Sequence, residues 1–212
     1  MNKIMFNDKY GLTKAVLEGR KTQTRRIINP QPMYDENVGI CWKGYAYGIN
    51  FSVKEGAYNN FISGTEYDKS CKRYRVGEIV AVAQNYTACG GFMDDGTPRW
   101  DYISCIVGSK NRGWSNKMFV KPELMPHQIK ITNVRIERLQ DISDDDCLAE
   151  GVYKIISEDG TPRYYVKDWK GDTMLATYTP QDAYSFLIDK VSGKGTWESN
   201  PYVFVYDFEL IK

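Results

Sequence analysis

The final run of the chain, Tyr202-Val203-Phe204-Val205-Tyr206-Asp207-Phe208-Glu209-Leu210, constrains the fold more than any other segment. Its centre is too apolar, and too rich in β-branched and aromatic residues, to be anything but a core strand. A shorter apolar run, Glu78 to Ala83, suggests a second strand buried on both faces. Residues 128–138 give a third strand with a change of phase. Ile129 and Ile131 share one face, while Val134 and Ile136 have the other parity, which a β-bulge near Thr132-Asn133 would produce. Lys21 to Ile28 is rich in β-branched residues, so it is expected to be extended, with Pro30 and Pro32 ending it.

The helices are short. Asn7 or Asp8 can cap a first one, which carries Leu12, Ala15 and Val16 on one stripe and ends at Gly19. Ser143 can cap a second, with Asp146 returning a capping-box acid, Asp144 and Asp145 in the first turn, and Gly151 closing it. Thr179-Pro180-Gln181-Asp182 opens a third, with Ala183, Phe186, Leu187 and Val191 inward and Gly193 at its end. Residues 97–107 read as a strand after the turn Asp94-Asp95-Gly96, and 152–168 as a hairpin around Glu158-Asp159-Gly160. The segments Asp95-Gly96-Thr97-Pro98 and Asp159-Gly160-Thr161-Pro162 match, which two hairpins sharing Asp-Gly turn chemistry explain. Strands and helices do not alternate as βαβ units, so the class is α+β or a barrel with appended helices. A length of 212 residues suits one domain, 1–212, with insertions near 33–75, 90–120 and 153–178.

Composition excludes several function classes. Lys and Arg number 28 against 27 Asp and Glu, so any nucleic-acid contact must come from a local patch. The one histidine, His127, rules out zinc sites built on several imidazoles, and it reads as structural. Five cysteines without a CxxC pair argue against a disulfide framework or a Cys-rich metal site and for a reducing, cytoplasmic compartment. The acids Asp144, Asp145 and Asp146 are accounted for by helix capping rather than by a metal. No cofactor is expected. No apolar run approaches a transmembrane span, and no signal segment is expected at the N-terminus. Trp42, Tyr45 and Tyr47 are read as packing of an insertion rather than as a base-stacking surface.

Two places carry unusual chemistry. Gly19-Arg20-Lys21-Thr22-Gln23-Thr24-Arg25-Arg26 concentrates four cations and two threonines in a neutral chain. It suits either a phosphate or nucleic-acid backbone, or a charged strand edge that blocks edge-to-edge pairing. A lysine crowded by Arg20, Arg25 and Arg26 has its pKa pulled down, toward use as a base. The second is Glu150, a carboxylate expected at a helix C-terminus, where the dipole is unfavourable. A broken local rule of this kind marks a candidate functional residue.

The segment 19–26 resembles the GxKxxxxR signature of the ASCH domain family, which has a PUA-like fold. Further segments agree in order: Ile4-Met5-Phe6, Arg75-Val76-Gly77-Glu78, Met125-Pro126, Val134 to Ser143, Ala149-Glu150-Gly151-Val152 and Trp197 to Val203. Together they resemble the longer ASCH proteins of phages and prophages. The resemblance implies a small mixed β-barrel of about five to six strands with flanking short helices, and a cleft for RNA or modified nucleosides. One bacterial branch of the family is an N-acetylcytidine amidohydrolase, and by motif position its lysine, threonine and glutamate correspond to Lys21, Thr24 and Glu150. In that reading Thr24 attacks the amide carbonyl, Lys21 supports it, Glu150 shuttles a proton, and Arg20, Arg25 and Arg26 hold substrate. The alternative is a non-catalytic RNA-binding module, or a ribonuclease, that uses the basic 20–26 patch. The chain departs from the longer relatives at Gln84-Asn85-Tyr86, where Arg-Glu-Thr is usual, and at His127-Gln128, where Arg-Trp often follows Met-Pro. Protein partners are not indicated.

Overall fold

The computed structural model describes residues 1–36, 39–42, 45–46, 74–167 and 173–211. In chain order the elements are β1 (Asn2–Ile4), α1 (Leu12–Leu17), β2 (Gln23–Ile27), β3 (Met33–Asp35), β4 (Gly39–Trp42), β5 (Tyr45–Ala46), β6 (Ile79–Val82), α2 (Arg99–Val107), β7 (Gln128–Arg138), α3 (Asp144–Ala149), β8 (Tyr153–Ile156), β9 (Pro162–Lys167), β10 (Thr173–Thr177), α4 (Pro180–Ser192), α5 (Thr196–Ser199) and β11 (Tyr202–Leu210). The class is α+β. The main sheet has five strands in the order β1-β6-β7-β11-β2, and two three-stranded antiparallel sheets, β10-β9-β8 and β3-β4-β5, stand apart from it. Within the main sheet only β1 and β6 run parallel. Its edge strands are β1 and β2, and no strand pairing joins them among the described residues. The side chain of Arg26 on β2 crosses to that other edge, donating to the Met5 carbonyl at 2.6 Å.

The apolar runs become the strands expected of them. β11 lies between β7 and β2, and Val203, Phe204, Val205 and Tyr206 are all buried, so both of its faces are covered. On β6 successive residues feed separate cores. Val80 and Val82 join the large cluster under β7 and β11, while Ala81 and Ala83 join a smaller one with Tyr86, Ile103 and Leu124. The phase change in β7 is a bulge. Asn133 pairs with Asp207 and Ile131 with Phe208, which leaves Thr132 unpaired.

Residues 99–107 correct one expectation. They form helix α2, not a strand. Pro98 sits at its N-cap, Asp101 lies in its first turn, and Gly108 with φ +78° ends it. Only Ile103 of this helix is buried. The matching Asp-Gly segments share just their turn, since Asp95 and Asp159 each accept from the amide two residues on at 2.9 Å. After that turn one segment enters α2 and the other enters β9. The hairpin read over 152–168 is β8 and β9, joined in antiparallel register. In α4 the inward stripe also shifts. Tyr184, Leu187 and Ile188 are buried with Ala183, whereas Phe186 is only half-buried. Tyr47 and most of the 33–75 insertion, and part of 153–178, lie outside the described residues, as do the side chains of Trp42 and Tyr45.

Cys89 and Cys147 are buried free thiols whose pKa values burial pushes up to about 11 and about 12, so they act as apolar filling. His127 pairs through Nδ1 with Gln84 Oε1 at 2.7 Å, next to the smaller core. Among the described residues no helix is long and apolar enough to cross a membrane.

The smaller core closes around one contact without spare room. A Cβ added at Gly113 would run into the ring of Tyr86, a fully buried side chain. Gly113→Ala is therefore expected to lower stability by about 1–3 kcal/mol through overpacking. The urea midpoint of unfolding measures this, and an unchanged midpoint would show that the Tyr86 ring gives way freely.

Candidate functional site

Lys21 reaches its position because α1 ends abruptly. Gly19 takes φ +70°, a left-handed cap that costs glycine nothing. The chain then turns back. The amides of Arg20 and Lys21 both donate to the Ala15 carbonyl at 2.9 Å, and the Thr22 amide donates to Ala149 at 2.9 Å. Lys21 therefore precedes β2 rather than belonging to it, and strand alternation does not force it away from Thr24. Its side chain is 1% exposed. The ammonium donates to the Gln23 carbonyl at 2.7 Å, to the Glu150 carbonyl at 2.7 Å and to Glu150 Oε2 at 2.5 Å. Three donors meet three acceptors. Burial pulls the Lys21 pKa below its ordinary value. Glu150 opposes that shift, and Arg26 and Arg25 add to it.

Glu150 is the C-terminal cap residue of α3, as the sequence suggests, and Ser143 caps the other end by accepting from the Asp146 amide at 3.1 Å. The unfavourable dipole at this end is answered by two cations, Lys21 on Oε2 and Arg25 Nη1 on Oε1 at 3.4 Å. Asp146 does not reach back to close a capping box. Its side chain turns to the sheet instead, where Oδ2 accepts from Arg25 at 2.8 Å and from Arg135 at 2.7 Å, and Oδ1 from Gln23 at 2.9 Å.

The basic segment is not a surface patch. The Arg25 side chain is fully buried, paired with Glu137 at 2.5 Å, with Asp146 and with Glu150, and its Nη1 also donates to Gln23 Oε1. Burial works against the Arg25 charge, yet the neighbouring acids, Glu150 first, hold its pKa above the ordinary arginine value. The strand register explains the cluster. Arg25 lies opposite Val205, which lies opposite Arg135, while Gln23 lies opposite Asp207 and Asn133. These alternate residues share one face of the sheet, where Arg135 bridges Glu137, Asp146 and Asp207. The other two cations are half-buried. Arg20 donates to the Gly151 carbonyl at 2.8 Å and stacks 3.8 Å from the centre of the Tyr153 ring, and Arg26 spans the sheet edge to Met5. Both readings of the segment, a phosphate-binding patch or a charged strand edge, place its cations at the surface, whereas Lys21 and Arg25 are buried inside ion pairs, because a buried charge must be neutralised locally.

A cavity of about 550 Å³ opens beside the Lys21–Glu150 pair. Thr24 and Arg25, adjacent residues of the edge strand β2, both border it. Thr24 is buried, and its hydroxyl makes no hydrogen bond to Lys21 or Glu150. The structure therefore joins Lys21 to Glu150 directly and brings Thr24 to the same cavity without a bond to either. The far wall is α4, through Tyr184, Leu187, Ile188 and Val191. Tyr184 was not anticipated from the sequence. Its only signal was its place one turn beyond the Thr179 cap, beside Ala183. Among the described residues no group of three or more His, Cys, Asp or Glu is placed to hold a metal ion.

Two outcomes follow from the ion pairs. Lys21→Met leaves Glu150 short of a cation and is expected to cost about 3–5 kcal/mol. The double variant Lys21→Met/Glu150→Gln should recover part of that loss in chemical denaturation, and additive losses would mean the two are not coupled. For Asp146, burial raises the pKa, but Gln23 and Arg25 outweigh it, so the folded value lies below the ordinary 3.8. Between those two values the unfolded chain binds more protons, so the stability that Asp146 contributes is present above about pH 4 and drains away below it. Asp146→Asn should flatten that acid limb in unfolding midpoints measured from pH 5 downward. Comparison of the chain with protein-family models, with curated proteins and with solved structures returned no match.

Proposed function

We propose that this chain is an ASCH-type, PUA-like protein whose cavity hydrolyses the N-acyl amide of an acylated cytidine-like nucleoside. The observation that carries this reading is the buried Lys21–Glu150 contact of 2.5 Å on the wall of a cavity that Thr24 also borders. The cavity volume lies within the roughly 300–1,000 Å³ usual for small-molecule sites. The barrel the fold would require is supported by the five-stranded sheet, with Arg26 linking its two edges through the Met5 carbonyl.

The chemistry follows from the residues. The Thr24 hydroxyl attacks the acyl carbonyl, and its proton passes to the Glu150 carboxylate. The Lys21 ammonium offsets the charge that develops beside it. Collapse of the tetrahedral intermediate breaks the C–N bond, and Glu150 returns the proton to the departing amine. Water then cleaves the Thr24 ester, which frees the carboxylic acid and restores the hydroxyl. Lys21 and Arg25 are committed to Glu150, Arg20 bonds the Gly151 carbonyl and Arg26 the Met5 carbonyl, which favours a nucleoside over a long RNA.

The test is release of acetate and cytidine from N-acetylcytidine by purified protein. Turnover by the parent is expected, with Lys21→Ala, Thr24→Val and Glu150→Gln each losing at least about 100-fold in kcat. A parent without turnover, or variants that match it, would remove this reading.

A further inference from the structure

Tyr184 carries an observation that the Lys/Thr/Glu chemistry leaves unused. It is 1% exposed, yet its hydroxyl is a buried polar atom without a hydrogen-bond partner among the described residues. Such an atom costs free energy in the folded protein, and native structures hold few of them. The residue borders the cavity, and its hydroxyl lies within electrostatic reach of Glu150 and Arg25, at the same end as the Lys21–Glu150 pair. Burial, with Glu150 adding to it, keeps the phenol neutral by raising its pKa well above the ordinary value. A neutral phenol that keeps its proton is a hydrogen-bond donor.

The same helix supplies what lies beyond that donor. Leu187, Ile188 and Val191 follow Tyr184 at three, four and seven residues, so they share its face of α4, and all three border the cavity. One helical face thus carries a buried, unpaired donor followed by a strip of aliphatic side chains, on residues that all border the cavity.

We infer that this face of α4 recognises the acyl group of the substrate, with the Tyr184 hydroxyl donating to the acyl carbonyl oxygen and Leu187, Ile188 and Val191 packing against its hydrocarbon tail. The inference rests on the amide-hydrolysis reading above and adds a catalytic residue and a substrate preference to it. As Thr24 attacks, the carbonyl oxygen becomes an oxyanion, and the Tyr184 donor strengthens its hold on that oxygen without giving up its proton. The preferred substrates carry an uncharged acyl group longer than acetyl.

The experiment compares the parent with Tyr184→Phe on N-acetylcytidine and N-butyrylcytidine. Each buried methylene should improve kcat/KM about fourfold, so the parent should favour the butyryl compound, which has two more, by roughly fifteenfold. Tyr184→Phe removes only the hydroxyl. Its kcat should fall about 100-fold on both compounds, while its melting temperature stays level or rises because a buried unpaired polar atom has gone. A Tyr184→Phe protein that turns over as fast as the parent overturns the inference alone. So does a parent that shows no preference for the longer chain, and so does a fall in melting temperature, which would reveal an internal partner for the hydroxyl. A parent inert toward both compounds removes the hydrolase reading and this inference with it.

Discussion

The site is organised by the cost of taking two cations out of water. Lys21 and Arg25 are both buried, and an isolated buried charge is not tolerated, so acids must come to them. Glu150 serves both, through Oε2 to Lys21 and Oε1 to Arg25. To deliver Glu150 the chain needs α3 lodged against the start of β2, which the Thr22–Ala149 backbone bond fixes. To neutralise the rest of Arg25 it needs Glu137 on β7 and Asp146 on α3, and Asp146 in turn draws in Arg135 and Gln23. The register of three strands and the placement of one helix are therefore coupled through a single network of charges. A one-residue slip of β2 would turn Arg25 toward the opposite face and leave the acids facing one another.

The main strands were legible because burial leaves a direct trace in sequence. β11 and β6 read as continuous apolar runs, and the β7 bulge was visible as a parity change between Ile131 and Val134. Helices α3 and α4 were legible through Ser143 and Thr179, whose side chains do cap them. Helix α2 was not. Its residues Trp100, Tyr102, Ile103, Ile106 and Val107 have β-type preferences, and a preceding Asp-Gly turn invites a hairpin. Only Ile103 is buried, with Val107 packed part-buried against the same core, so no long helical stripe stands out. Its proline and closing glycine decide the outcome, and both are equally at home in turns.

The candidate site was legible in a different way. Lys21 and Glu150 stood out because each breaks a local expectation, one as a cation among cations and the other as an acid at a helix C-terminus. Their pairing resolves both anomalies at once, since the acid that the dipole disfavours is the acid that the lysine needs. The burial of Arg25 was not legible because its acid partners Glu137, Asp146 and Glu150 lie 112, 121 and 125 residues away along the chain. Local charge counting cannot see such partners, so four cations in seven residues looked like surface. Tyr184 left even less trace. A tyrosine on a buried helical face reads as packing, and what distinguishes it is that its hydroxyl has no partner among the described residues.

That contrast bears on what the cavity admits. The Lys21 ammonium spends all three donors on Gln23 and Glu150, and Glu150 is held from both sides. An anionic ligand would have to displace the Glu150 carboxylate to reach Lys21, and a cationic ligand would face Lys21, Arg25 and Arg26 together. An uncharged ligand avoids both penalties, because it leaves the buried charges paired and needs only a neutral donor. Tyr184 supplies that donor, and the aliphatic residues along α4 supply a surface that no charge would share. An amide is uncharged, presents a carbonyl acceptor, and develops negative charge only once attack begins. Under the amide-hydrolysis proposal, charge would appear where a donor and a nearby ammonium already stand, and the arrangement would stabilise the transition state more than the bound substrate.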